Sequence, residues 1–202
     1  PPARPAGRQR LLDLIVALLI LAALGYGLYR AVVYLAQLPL AQWPQIALAV
    51  GATAGRVTVA LALAFLWTLP AGILIGTNRR VAFVALPAVQ VIASIPATAL
   101  FPVFVVALIN QVGGLNLAAV LLMLLGTQWY ILFNIIAGAA SIPRELFYVA
   151  ETLRLRPRQR WTTLYLPALY PYLITGVVTA SGGAWNASIV AEIGRASCRE
   201  RA

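Results

Sequence analysis

Apolar residues fall into five long runs, at 11–35, 53–76, 81–109, 115–139 and 164–190 of the 202-residue chain. Each is at least as long as the roughly 20 residues a helix needs to cross hydrocarbon. The gaps between them are short and polar. One is a neutral loop with Gln37, Gln42 and Trp43, and the next is a tight Thr77-Asn78-Arg79-Arg80 turn. A neutral turn from Asn110 to Gly114 and a charged insert at 141–160 complete the set. This pattern predicts an all-α, polytopic transmembrane helix bundle with five spans present and a sixth missing beyond the end of the chain. Pro87, Pro96 and Pro102 interrupt the third run. Each removes a backbone donor and crowds the carbonyl four residues earlier, so that span is expected to be kinked or split. Such a break either lines a pathway or is a packing kink braced by neighbours, and the sequence leaves both open.

Charge then orients the bundle. All 15 basic residues are Arg, against five acids, for a net charge of +10. Ten of them sit at the N-terminal 1–10 segment, in the 79–80 turn and in the 141–160 insert, alternating with neutral loops. That alternation is the positive-inside pattern, so the basic segments are expected in the cytoplasm and in contact with membrane lipid, and not on nucleic acid. The first run follows Arg4, Arg8 and Arg10 like a signal peptide but is too long for one, and reads as a retained anchor.

The chain has no His and one cysteine, Cys198, and the five runs hold no acidic pair. Neither a metal site nor a nucleophile and base can be assembled from such a set, so no catalytic, cofactor-binding or metal residue is expected. The last ten residues, 193–202, break abruptly from the composition before them and resemble the translation of a sequencing adapter, with Glu192 supplied by its first codon. They are set aside as non-native, a native basic tail being the alternative. On that reading 11–191 is the transmembrane domain and the natural chain continues past Ala191.

The insert carries the most information. Ser141 is expected to cap a helix with Pro143 in its first turn and Glu145 near its positive end. Leu146, Phe147, Ala150 and Leu153 recur at three- and four-residue steps, an apolar stripe with Arg144, Glu151 and Arg154 beside or opposite it. Such a helix either lies on the membrane surface or inserts into a groove on a partner protein. Within the runs, Arg56, Gln128, Trp129, Asn134, Ser181, Trp185 and Asn186 are the polar or aromatic positions able to line a pathway. Each has a structural alternative: snorkelling for Arg56, interfacial packing for the two Trp residues, interhelical bonding for the Asn residues.

With these residues in view, the chain resembles the inner-membrane permease subunits of binding-protein-dependent ABC importers over roughly residues 53–191. Those permeases share a cytoplasmic pattern of Glu-Ala-Ala, three residues, Gly, nine residues, Ile, any residue, Leu-Pro. Anchoring on Leu166 and Pro167 puts Leu164 at the Ile position and Arg154 at the Gly position. Ala150, Val149 and Tyr148 then fall on Ala, Ala and Glu. The spacing fits, while Tyr148 and Arg154 depart from the pattern. Gly there would permit a left-handed turn that Arg154 resists. The stretches opening at Ile142, Leu166 and Thr175 look like the nitrate and sulfonate-type anion branch, including its duplicated-permease form.

The resemblance implies a permease passing a small, anionic solute such as nitrate, sulfonate or bicarbonate. It implies an ABC ATPase dimer docked on Glu145, Leu146, Phe147, Ala150, Leu153, Arg154, Leu166 and Pro167, with ATP and Mg on that partner and no cofactor on this chain. It further implies a second permease half, as a homodimer or fused module, and an extracytoplasmic solute-binding protein, in a bacterial or archaeal inner membrane. Without any Lys the chain has no phosphate-binding Gly-x-x-x-x-Gly-Lys loop of its own. A gradient-driven secondary transporter is the alternative, followed by a membrane-embedded enzyme, although Asp13 is the one acid in the five runs.

Overall fold

The computed structural model describes residues 6–199, with side chains from 11 to 194. Arg4, the side chains of Arg8 and Arg10, and those of the 195–202 tail with Cys198 lie outside the described residues. Among the described residues eight α-helices run in order: α1 (Ala6–Ala36), α2 (Trp43–Thr77), α3 (Arg79–Ala93), α4 (Ala97–Leu108), α5 (Gly114–Ala140), α6 (Arg144–Thr152), α7 (Pro157–Arg160) and α8 (Leu166–Arg199). A short 3-10 turn, Leu40–Gln42, precedes α2, and a π-helical turn, Trp161–Tyr165, joins α7 to α8. Four helical stretches are long and apolar enough to cross a membrane, and α3 with α4 makes a fifth if the bent pair is one span. The protein is therefore an all-α, multi-pass membrane bundle.

The chain divides into two compact units, Pro1–Gly51 and Ala52–Ala202. In the first, Arg30 of α1 is clamped by its own helix. Its guanidinium donates to the hydroxyls of Tyr26 (3.2 Å) and Tyr34 (2.8 Å), one turn to either side. Two phenols thus solvate a cation placed within an apolar helix, and that lowers its desolvation penalty.

In the second unit α5 is the central element. Leu122, Met123, Ile131, Leu132 and Ile135 are fully enclosed. Around it, Val57 and Ala60 of α2, Phe101 of α4 and Ala184 and Ala191 of α8 form one apolar cluster. Ala64 and Ile73 of α2 with Leu169 and Ala180 of α8 form a second, and Ile75 with α3 residues forms a third. Small residues set the helix spacing. A Cβ added at Gly76 would sit 2.6 Å from the Ile136 carbonyl, and one at Gly138 would sit 2.7 Å from the Tyr172 ring, so α2 and α8 approach the α5 backbone directly. Outward faces carry exposed Leu66, Phe83, Val106 and Val178. That arrangement fails in water and suits lipid, where apolar surface has no reason to hide.

The third span breaks only at Pro96. There α3 ends, α4 begins, and the two axes bend by 72°. The span is thus split as expected, with Pro87 and Pro102 inside their helices. The difference is local chemistry. Ser94 donates its hydroxyl to the Val91 carbonyl at 2.7 Å, so a C-terminal cap already sits two residues before Pro96. No competing cap stands beside the other two prolines.

Candidate functional site: the α6 hairpin and the bundle polar groups

Residues 141–167 form a compact hairpin at the ends of α5 and α8. Ser141 does not cap α6, as its sequence position implied. It is the C-cap of α5, where its hydroxyl donates to the Gly138 carbonyl at 2.8 Å, while Pro143 occupies the N-cap of α6. A serine three residues past an orphan carbonyl closes the nearer helix end first. Glu145 does stand in the first turn of α6, beside its positive pole.

The far end of α6 closes as a Schellman motif. Leu155 N–H donates to the Ala150 carbonyl at 3.0 Å and Arg154 N–H to the Glu151 carbonyl at 2.9 Å. The residue between them and the helix, Arg154, has φ of +48°, the one non-glycine with positive φ among the described residues. The position at which the permease pattern carries Gly therefore keeps its left-handed turn although the side chain opposes it. Leu155 then folds back on a small core of Ile142, Ala150 and Leu164, which holds Phe147 as well. The Phe147 and Tyr165 ring centroids lie 6.2 Å apart, and Tyr165 meets Trp161 edge-on at 5.7 Å. Gln159 accepts from the Arg156 N–H at 2.8 Å and fixes the start of α7.

This packing divides the stripe read from the sequence. Ala150 is buried and Phe147 half-buried, both turned toward the protein's own core. Leu146, Val149 and Leu153, spaced three and four apart on the other side, are 43%, 53% and 65% exposed. Val149 belongs to the exposed stripe, although the stripe read from the sequence left it out; the three-residue step from Leu146 was the available signal. Glu145 and Arg154 are exposed at either end, and Leu166 and Pro167 are exposed at the start of α8.

Arg56 is an ion-pair partner of Glu192 of α8, and its guanidinium also donates to Thr53 at 3.3 Å. The Thr53 hydroxyl in turn donates to Glu192 at 3.0 Å. Glu192 is the residue that the adapter reading places at the head of the non-native tail. Gln128, 7% exposed, accepts from the Trp67 indole at 3.1 Å, and Trp67 meets Trp129 edge-on at 6.5 Å. Asn134 turns back to donate to the Tyr130 carbonyl of its own helix at 2.7 Å. Ser181 is half-buried on α8, with Trp185 and Asn186 exposed further along it. Trp67 and Thr53 are the partners that sequence inspection did not single out.

Residues 68–194 match the family described as the binding-protein-dependent transport system inner membrane component. Over 142 residues the chain is 32% identical to the bicarbonate transport system permease protein CmpB of Synechocystis sp., covering 70% of this chain and 49% of that protein. It is 29% identical over 144 residues to the nitrate import permease protein NrtB of Leptolyngbya laminosa, covering 71% and 50%. The putative aliphatic sulfonates transport permease protein SsuC of Bacillus subtilis is 29% identical over 122 residues, covering 60% and 43%. The chain thus spans about half the length of the curated relatives it matches.

Proposed function

The chain belongs to the family of binding-protein-dependent transport system inner membrane components, and on that premise we propose that it is a permease subunit of an ATP-driven importer for a small anion. The relatives are named for bicarbonate, nitrate and sulfonate transport, and these anions define the solute class proposed here. ATP and Mg are held by a separate ATPase dimer, a second permease half completes the pathway, and a solute-binding protein delivers the anion from outside. The setting is a bacterial or archaeal inner membrane, with the N-terminus and the α6 hairpin in the cytoplasm by the positive-inside rule.

One observation carries the reading: α6 presents Leu146, Val149 and Leu153 outward while Phe147 and Ala150 pack into the Ile142 and Leu164 core and Leu155 ties back its C-terminal turn. An exposed apolar stripe on a braced helix is a lever. A partner that grips it differently in two nucleotide states transmits the difference to α5 and α8, to which the hairpin is joined without slack. Burying three such side chains on a partner stabilises the contact by about 3 kcal/mol, on the order of a hundredfold in affinity.

The test is co-purification of the ATPase with Leu146→Asp/Leu153→Asp. Loss of the ATPase with normal membrane insertion is the expected result. Retention of wild-type stoichiometry, or solute uptake by vesicles holding no ATPase, would overturn the assignment.

A further inference from the structure

A hollow of about 780 Å³ opens between the 77–79 turn and the inner side of α6. Its apolar lining includes Leu74, Gly76, Ala82 and Ala139, near the ends of α2, α3 and α5. The rim is made of donors. Arg79 and Arg144 line it, together with Asn78, Tyr148 and Tyr165. The Asn78 side-chain oxygen is committed to the N–H groups of Arg80 and Val81, which leaves its NH2 for another partner. Among the described residues neither Arg79 nor Arg144 is in an ion pair. The one acid on the rim, Glu151, lies seven residues from Arg144, about 10 Å along α6.

Two cations and a neutral donor above an aliphatic floor, at the level where apolar helices end, match a phosphate with hydrocarbon attached. We propose that this hollow binds the headgroup of an anionic phospholipid, the phosphate meeting Arg79 and Arg144 and the first acyl carbons resting on the floor. Charge complementarity favours an anionic over a zwitterionic lipid, because one carboxylate does not balance two guanidiniums. The inference does not depend on what the outer stripe of α6 docks.

Native mass spectrometry of the full chain in detergent, titrated with phosphatidylglycerol and separately with phosphatidylcholine, tests it. Phosphatidylglycerol is expected to bind one-to-one and to outcompete phosphatidylcholine. Arg79→Gln/Arg144→Gln should weaken it by about thirtyfold, from the usual attraction of two surface Arg residues for anionic lipid. Arg156→Gln/Arg158→Gln, equally basic and outside the hollow, should leave it unchanged. All four positions are exposed, and the thermal midpoint of each variant verifies folding. Undiminished binding in the first pair, or an equal loss in the second, overturns the proposal. A third arm adds inorganic phosphate: displacement of the lipid at millimolar concentration would assign the hollow to free phosphate and overturn the lipid assignment.

Discussion

Arg154 offers the sharpest energetic test of the hairpin. Its φ of +48° is held by two backbone bonds and by Leu155 folding onto the Ile142, Ala150 and Leu164 core. A left-handed conformation costs an ordinary L-residue about 1–2 kcal/mol through crowding of Cβ against the carbonyl. Glycine escapes that cost but gives back about 0.4–1 kcal/mol through greater freedom of the unfolded chain. Arg154→Gly should therefore stabilise by about 0.5–1 kcal/mol, and for a chain of this size each kcal/mol moves the midpoint by about 2–4 °C. Arg154→Val should move it the other way, since a β-branched side chain tolerates positive φ least. Arg154→Asn, which removes the charge but accepts the left-handed region, should fall at or slightly above wild type and so separates backbone from electrostatics. The assay is thermal unfolding in detergent, with hydrogen exchange at the Arg154 and Leu155 amides as the local readout. An order in which Val equals or exceeds Gly would refute the strained-turn argument.

Other consequences are equally direct. Gly76→Ala places a methyl 2.6 Å from the Ile136 carbonyl oxygen and should destabilise by about 1–3 kcal/mol, whereas Gly182→Ala, with nothing within 4 Å, should be neutral or slightly stabilising. Gln128→Leu strips the Trp67 indole of its acceptor and should lower stability by about 1–2 kcal/mol. Asn134→Ala breaks only a bond within its own helix and should stay within about 0.5 kcal/mol of wild type in the same melts. Phe147→Ala should lower the thermal midpoint, while Leu146→Ala should leave it unchanged and weaken ATPase capture, because one ring is packed inward and the other side chain is exposed.

The helices were legible because run length alone decides whether a segment can satisfy its backbone in lipid. Within the third span the decision among Pro87, Pro96 and Pro102 turned on Ser94, a hydroxyl placed to finish one helix before the next begins. In the insert, periodicity found α6 but not its orientation. Phe147 and Leu146 are both apolar, and only the position of Leu164 and Tyr165, far along the chain, tells which faces home. The polar groups of the bundle were visible as exceptions in apolar runs, yet their partners were not. Gln128 meets Trp67 across two helices, and Arg56 meets Glu192 from near opposite ends of the sequence. Arg30, which the reading of the first run passed over, is accommodated by tyrosines one turn away, a spacing readable from sequence alone.

The π-helical turn at Trp161–Tyr165 has a bearing on how the hairpin evolves and can be engineered. Such a turn holds one residue more than an α-helical turn. Excising one residue from it would let the helix wind on as ordinary α-helix with its flanks in nearly their original phase, whereas excising one from the regular part of α8 would rotate everything upstream by about 100°. The segment works as a slack ring: a single-codon deletion there would leave Leu146, Val149 and Leu153 aimed nearly as before, while the same deletion within α8 would swing them away from any motor aligned to them.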